Sequence, residues 1–184
     1  NGDGFDDVIL GAHGNDNGGS SAGESYVVFG GASPANVDLT TMTLAQGFSI
    51  QGDSASDLLG TTVSSAGDLN GDGFDDLVVG ARDGDDGGSN AGEAYVIFGT
   101  DTGFGIADGA GRQVLDLTTL SHAQGFIIQG DSALNSAGSS VSSAGDVNGD
   151  GLNDLIVGAL GASKSYVVFG SEGGFGTADN NGRQ

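Results

Sequence analysis

The stretch DLNGDGFDDLVVGA at residues 68–81 joins an acidic, glycine-rich segment to a short apolar run. Related stretches occur twice more, as NGDGFDDVILGA at residues 1–12 and as DVNGDGLNDLIVGA at residues 146–159. In each one Asn and Asp alternate with Gly, which is typical of tight turns, and the apolar run that follows is rich in β-branched residues. Each stretch therefore predicts a turn followed by a β-strand.

The repetition extends over the rest of the chain. QGFSIQGD at residues 46–53 matches QGFIIQGD at residues 124–131, and VSSAGD occurs both at residues 63–68 and at residues 141–146. The copies are offset by 69 residues and then by 78, and the difference of nine residues is an insertion near residues 102–111. A long repeat of this kind predicts a fold assembled from similar structural units.

Within one period, four short runs rich in β-branched and aromatic residues are predicted as strands: residues 48–51, 61–65, 76–79 and 94–98. No stretch shows a sustained helical period, so we predict an all-β fold. Four strands per unit favour β-propeller-type four-stranded blades, about ten strands or two and a half blades in this chain. We expect the whole of residues 1–184 to be one propeller segment of a larger or multi-chain assembly, cut mid-repeat at both ends. Its repeat units are approximately residues 1–67, 68–145 and 146–184.

Composition limits the partners that the chain can have. Acidic residues outnumber Lys and Arg by 25 to 4, which gives a formal charge of −21 and makes nucleic acid a poor partner. Cations are favoured partners for the same reason. Cysteine is absent, so that metal rather than a disulfide is the available cross-link. No apolar run approaches the roughly 20 residues that span a bilayer, and we expect no membrane insertion.

The acidic turns place oxygen donors at alternate positions. Positions 1, 3, 5 and 9 of the nine-residue loop carry side-chain oxygens, and position 7 offers its main-chain carbonyl. Calcium prefers six to eight hard oxygen ligands, so these loops predict Ca²⁺ sites. The predicted ligands are Asp68, Asn70, Asp72, Phe74 and Asp76 in the second copy, Asp146, Asn148, Asp150, Leu152 and Asp154 in the third, and Asn1, Asp3, Phe5 and Asp7 in the first.

Other interpretations of these loops are weaker. An EF-hand requires Glu at position 12, where this chain has Val79 and Val157. Zinc is disfavoured because Cys is absent and because His13 and His122 do not recur between copies, so both histidines are expected at the surface. An ordinary Asn-Gly turn without an ion is the remaining alternative, and it does not account for two complete nine-residue matches.

The chain resembles the FG-GAP repeat family, whose best known members form the amino-terminal seven-bladed propeller of integrin α subunits. The motifs that carry the resemblance are LG at residues 59–60, VSSAGD leading into the acidic loop, DLVVGA at residues 76–81, and GEAYVIFG at residues 92–99. The resemblance implies blades of a β-propeller and a calcium site in a hairpin between neighbouring strands. The Pro of the family's Gly-Ala-Pro is absent in all three copies, which carry His13, Arg82 and Leu160 instead.

We predict that the chain is not an enzyme. GSSAG at residues 19–23 fits G-x-S-x-G around Ser21, but the aligned residue in the next copy is Asn90 and no strand-to-helix turn is predicted. The acidic pair Asp85 and Asp86 is interpreted as solvated. The acidic insertions at residues 14–24 and 83–93 are interpreted as solubilising loops. The alternatives are weak secondary calcium sites and binding loops, since β scaffolds commonly place binding function in variable loops.

Together these features predict a calcium-stabilised module of a secreted or cell-surface protein, with an adhesion or extracellular scaffold role. The expected partners are calcium ions, another protein or a surface glycan, and further repeats or copies of the same chain. The alternatives are the non-catalytic propeller part of a secreted hydrolase and a subunit of a self-assembling extracellular fibre.

Overall fold

The computed structural model describes residues 1–32 and 36–176. These residues form twelve strands and one short 3-10 helix, η1 (Leu117–Thr119). The strands are β1 (Val8–Ala12), β2 (Glu24–Val28), β3 (Gly47–Gln51), β4 (Leu59–Gly67), β5 (Asp76–Ala81), β6 (Glu93–Ile97), β7 (Ile106–Ala107), β8 (Gln113–Asp116), β9 (Gly125–Gln129), β10 (Ala137–Gly145), β11 (Asp154–Ala159) and β12 (Lys164–Val168). The prediction of an all-β fold is confirmed. No helix in the described residues is both long and apolar enough to cross a membrane.

The strands form three sheets in chain order. The first sheet has the strand order β1-β2-β3-β8-β7, the second β4-β5-β6-β9 and the third β10-β11-β12. Every pairing is antiparallel except that of β3 with β8. Without β7 and β8, the remaining ten strands correspond to two and a half four-stranded blades, as the sequence predicts. The second sheet is the complete blade.

The four predicted runs coincide with strands except at Phe98, which follows the end of β6, but they do not all belong to one sheet. Residues 48–51 lie in β3 of the first sheet, whereas the equivalent strand β9 is the fourth strand of the second sheet. Strands β7 and β8 were not predicted. They lie in and just after the insertion at residues 102–111, and β8 extends the first sheet by pairing with β3 from Ser49 opposite Val114 to Gln51 opposite Asp116.

The second sheet is buried on both faces. On β5, Val79 packs in a cluster with residues of the first sheet, and its neighbour Val78 packs in a cluster with residues of the third sheet. On β6, Tyr95 and Val96 divide between the same two clusters. Successive side chains of a strand point to opposite faces, so a run without polar interruption fits a sheet that lies between two others. The three sheets therefore pack face to face in a series.

Glycine pairs allow neighbouring sheets to approach closely. A Cβ on Gly80 would lie 2.1 Å from the carbonyl oxygen of Gly138, and a Cβ on Gly11 would lie 2.1 Å from that of Gly60. Both distances are far below any van der Waals contact, so any side chain here would force the sheets apart. The two contacts occupy equivalent places at the first-to-second and second-to-third sheet junctions, and they repeat the geometry of one junction at the other.

Candidate metal centre

The two complete acidic loops are hairpin turns in equivalent places. Residues 68–76 join β4 to β5, and residues 146–154 join β10 to β11. The first carboxylate folds the turn around itself: Asp68 accepts hydrogen bonds from the amides of Gly71 at 2.7 Å and Gly73 at 2.9 Å. Asp146 repeats this pattern in the third copy, and the backbone hydrogen bonds, with that of Gly151 foremost, lower its pKa. The position of the loops between neighbouring strands is the one that the resemblance implies.

The side chains at the third and fifth positions of each loop accept hydrogen bonds from the amides two residues later. Asn70 Oδ1 accepts from the Asp72 amide at 3.0 Å, and Asp72 Oδ1 accepts from the Phe74 amide at 2.9 Å. Asn148 and Asp150 make the same bonds in the third copy. Gly73 at the sixth position has φ of 88°, which a residue with a side chain rarely adopts, and an added Cβ would meet nothing within 4 Å. Backbone conformation, rather than packing, requires the glycine here.

The ninth position has a structural role of its own. Asp76 is 2% exposed, and its two carboxylate oxygens accept from the amides of Leu69 and Gly99, each at 2.9 Å. Burial raises the pKa of Asp76 to about 7, although the two backbone hydrogen bonds act in the opposite direction. Asp154 makes the equivalent bonds to Val147 and Gly170. This carboxylate therefore ties the loop to the chain that leaves the third strand.

The incomplete first copy follows the same pattern. The Asp3 amide donates to Asn1 Oδ1 at 3.0 Å, and the Phe5 amide donates to Asp3 Oδ1 at 2.9 Å. Asp7 accepts from the Gly30 amide at 2.9 Å, as Asp76 does from Gly99. The structure thus places all the predicted ligand positions in three loops of one design.

Neighbouring loops lie side by side. The Asp68 amide donates to Asn153 Oδ1 at 3.1 Å, and the Asn153 amide donates to the Asp68 carbonyl at 2.9 Å. On the other side, a Cβ on Gly2 would lie 2.6 Å from the ring of Phe74, so the first and second loops also contact each other. The loops therefore form a series at one end of the sheets. An ion bound in one loop would also affect the contact that this loop makes with the next.

The donor chemistry of the loops fits calcium. Their side-chain donors are carboxylate and amide oxygens, and a carboxylate oxygen that accepts one N–H keeps lone-pair capacity for a cation. In the second loop Asp68, Asn70, Asp72 and the Phe74 carbonyl would hold the ion, and the buried Asp76 would hold the loop. No His or Cys belongs to any loop, so the set does not fit zinc. Both histidines are exposed, as predicted.

A second acidic group joins the insertion at residues 83–93, where the sequence left weak secondary calcium sites as an alternative, to Asp53, which the sequence did not connect with it. Oxygens of Asp53, Asp86 and Glu93 lie within 4.8 Å of one another, and no other group of three acidic, His or Cys side chains is as close in residues 1–32 and 36–176. The Tyr95 hydroxyl lies within hydrogen-bond distance of two carboxylate oxygens, 2.8 Å from Asp53 and 2.6 Å from Glu93, and donates its one proton between them. Glu93 is completely buried, and burial raises its pKa to about 7. The interpretation of residues 83–93 as a solvated loop is therefore wrong at Glu93, as it is for residues 14–24 at the equally buried Glu24.

Asp57 is a further buried carboxyl group that interacts with this group. Asp57 is 3% exposed, and burial followed by the charges of Glu93, Asp53, Asp85 and Asp86 raises its pKa to about 8. Asp85 and Asp86 are exposed, as predicted from the sequence, and their charges contribute to the raised pKa of Asp57.

Ser21 lies in a tight turn with φ of 52° and donates its amide to Asp16, and Asn90 repeats this geometry with Asp85. Ser21 is therefore a turn residue at a left-handed position.

Two segments of the chain match the model of a known protein family. The sequence model of the FG-GAP repeat matches residues 59–97 and residues 137–182. The first segment starts with β4 and ends with β6, and the second starts with β10, so each match begins at the first strand of a sheet and includes an acidic hairpin. FG-GAP repeats form blades of β-propeller-type modules and are typical of extracellular and adhesion-related proteins. These two matches directly support the resemblance of the chain to the FG-GAP repeat family.

Proposed function

We propose that this chain is a calcium-binding, calcium-stabilised propeller module of a secreted or cell-surface protein, with an adhesion or extracellular scaffold role. The observation that carries the proposal is the hairpin loop found twice with the same hydrogen bonds, around Asp68 and around Asp146. Turns that merely reverse the chain do not require the same oxygen donors at four positions, three of them carboxylates. A loop that binds the same ion in each blade does.

Electrostatics supports a cation in these loops. Asp68, Asp72 and Asp76 lie within nine residues of one another, and the charges of the first two raise the pKa of the third. Calcium would offset this repulsion and hold the turn that joins β4 to β5, so that folding would be linked to the free calcium concentration. Extracellular calcium modules bind with dissociation constants of about 10⁻⁴ to 10⁻³ M, which suits an extracellular location.

A scaffold role accords with the rest of the chain. The buried faces of the second sheet are devoted to packing against its neighbours, and the loops carry acidic, amide and hydroxyl groups that suit solvation or calcium-bridged contacts. We propose a non-enzymatic module whose partner is another protein or a surface glycan. The charge of −21 favours partners that are basic or that bind through calcium.

Isothermal titration calorimetry with calcium tests the proposal directly. Asp72→Ala and Asp150→Ala each remove an exposed carboxylate from one loop without disturbing the buried tie at the ninth position. We expect each variant to bind about one calcium fewer than the wild type, whereas Asp101→Ala, an exposed control outside the loops, should bind the same number. Equal stoichiometry in all four proteins would overturn the assignment of the loops.

A further inference from the structure

A cleft of about 630 Å³ opens between the first and second sheets, at the end where the acidic loops lie. Residues of the first and second loops line it, and so does β1, the edge strand of the first sheet. Its apolar wall is built from both sheets and from the segment that follows β6. The wall residues are Ile9, Val27, Phe29, Phe48, Leu77 and Phe104.

The equivalent place between the second and third sheets is filled by side chains. Each of the six wall residues has a counterpart there, and all six counterparts belong to one apolar cluster: Val78, Val96, Phe98, Phe126, Leu155 and Phe175. The same cluster contains Ala66 and Leu69, which are both completely buried. No residue of the first copy in this chain is equivalent to either of them. The cleft is therefore the place that an alanine and a leucine occupy at the next junction.

Backbone hydrogen bonds hold Leu69 in that place. Its amide donates to Asp76 Oδ2 at 2.9 Å, and its carbonyl accepts from the Ser171 amide at 2.8 Å. The equivalent groups at the first junction are the carboxylate of Asp7 and the amide of Thr100. The α-amino nitrogen of the first residue lies 3.6 Å from Asp7 Oδ2, which is longer than a hydrogen bond. This oxygen therefore keeps the capacity to accept a strand amide, as its counterpart in Asp76 does.

The backbone edge beside the cleft is open to a further strand. In the second and third sheets the strand equivalent to β1 pairs on both sides, β5 with β4 and β6, and β11 with β10 and β12. Among the described strands β1 pairs with β2 alone. The N–H and C=O groups of such an edge are a template for another strand. By the register of β4 on β5, the equivalent of Ser65 would lie opposite Val8, and that of Gly67 opposite Asp7.

We propose that the edge of β1 and the adjoining cleft bind an extended segment of a separate polypeptide. The segment adds antiparallel to β1 and places an alanine and, three residues later, a leucine or valine in the cleft. The sequence VSSAGDL at residues 63–69 has this pattern, and residues 141–147 repeat it with Val147 at the end. Both copies are already paired, with β5 and with β11, so neither is available to β1. The inference gives the proposed module one kind of protein partner, which is recognised by backbone pairing and by two apolar anchors.

A synthetic peptide of residues 61–69, TTVSSAGDL, tests the proposal on the full chain. The labelled peptide is titrated with the protein in millimolar calcium, and binding is followed by fluorescence anisotropy. It is compared with a Leu69→Asp peptide, which puts a charge on the apolar anchor. The matched control is a Ser65→Asp peptide, which adds the same charge at a residue that is exposed in β4. Because the substitutions are in the peptide, the fold of the protein is the same in all three titrations.

We expect one saturable site, at which Leu69→Asp raises Kd by about tenfold or more because a carboxylate would enter an apolar cleft. Ser65→Asp should change Kd by less than about threefold. Methyl NMR locates the site, and the peptide should shift Ile9, Val27 and Leu77 but not Val167, which lies on the edge strand β12.

The absence of saturable binding, equal affinities of the Leu69→Asp and unmodified peptides, or shifts confined to the third sheet would overturn the proposal. Sedimentation of the protein alone covers the other occupant: a dimer formed through β1 that excludes the peptide would overturn it in favour of a second copy of this chain. Calcium stoichiometry does not enter these measurements, so failure of the loop assignment would be seen separately.

Discussion

The ring of Phe104 stacks on the ring of Phe48, with centroids 4.2 Å apart and planes within 4° of parallel. Phe175 and Phe126 repeat this stack at 4.2 Å and 9° in the next blade. Phe48 lies on β3 and Phe104 in the segment that follows the third strand of the second blade. The stack therefore anchors the inserted segment to β3 of the preceding sheet, and it recurs with the repeat.

We expect Phe104→Ala to lower the free energy of unfolding by about 3 kcal/mol, because it removes both buried apolar area and the aromatic contact. Phe169→Ala is the matched control, since that ring is 54% exposed, and it should change stability by no more than about 0.5 kcal/mol. Urea unfolding at constant calcium measures both. Equal effects of the two variants would show that the stack does not anchor the insertion.

The close approach of Gly80 to Gly138 predicts an intolerant position. Gly80→Ala should destabilise the chain by about 3 kcal/mol or more, because the clash is with backbone that cannot rotate away. Gly14→Ala serves as control, since a Cβ there would meet nothing within 4 Å and its φ lies outside the left-handed region. Thermal melting of both variants provides the comparison. A Gly80→Ala protein as stable as the control would contradict the packing of the second and third sheets.

Much of this architecture was predictable because its signals are local or repeated. The hairpin loops are recognisable from oxygen donors at alternate positions, and the hydrogen bonds that shape each turn around its first carboxylate span three to five residues. The strands of the complete blade were predicted from β-branched runs. Strand β7 was missed because Ile106 and Ala107 form only two paired positions and its neighbour β8 pairs in parallel with a distant strand.

The close approach of Asp53, Asp86 and Glu93 could not be predicted from composition. Asp53 and Glu93 are 40 residues apart in sequence, and only the register of β6 and the path between β3 and β4 bring them together. In a glycine-rich acidic loop, burial of one glutamate has no local signal. One signal in the sequence could have revealed this acidic group: the equivalent positions in the three copies carry Glu24, Glu93 and Lys164. An exchange of an acid for a lysine at a repeated position indicates that the side chain there interacts with another charged group.

The buried Asp57 predicts a pH dependence in the absence of metal. Its pKa of about 8 lies above the value near 4 of an exposed aspartate, so the folded state retains a proton that the unfolded state has released. Stability in chelator should therefore fall as the pH rises from about 4 to about 8. Burial is the main cause, and Glu93, Asp53, Asp85 and Asp86 are the charges that add to it.

Asp57→Asn removes this titration. We expect it to match the wild type near pH 4 and to exceed it by about 1 kcal/mol or more at pH 8, since each pKa unit corresponds to about 1.4 kcal/mol. Urea denaturation in chelator at a series of pH values gives the two slopes. Parallel pH profiles for the two proteins would show that Asp57 is ionised in the folded state at no cost.

Calorimetric melting in chelator and in millimolar calcium tests the central claim, that the repeated hairpins are structural calcium sites. Two sites with dissociation constants of about 10⁻⁴ M would add about 3 kcal/mol at 1 mM calcium, which corresponds to a rise in Tm of about 5–10 °C for a chain of this length. The account predicts that this rise is largely abolished in the double variant Asp72→Ala, Asp150→Ala. A Tm independent of calcium, or a rise of the same size in the double variant, would contradict it.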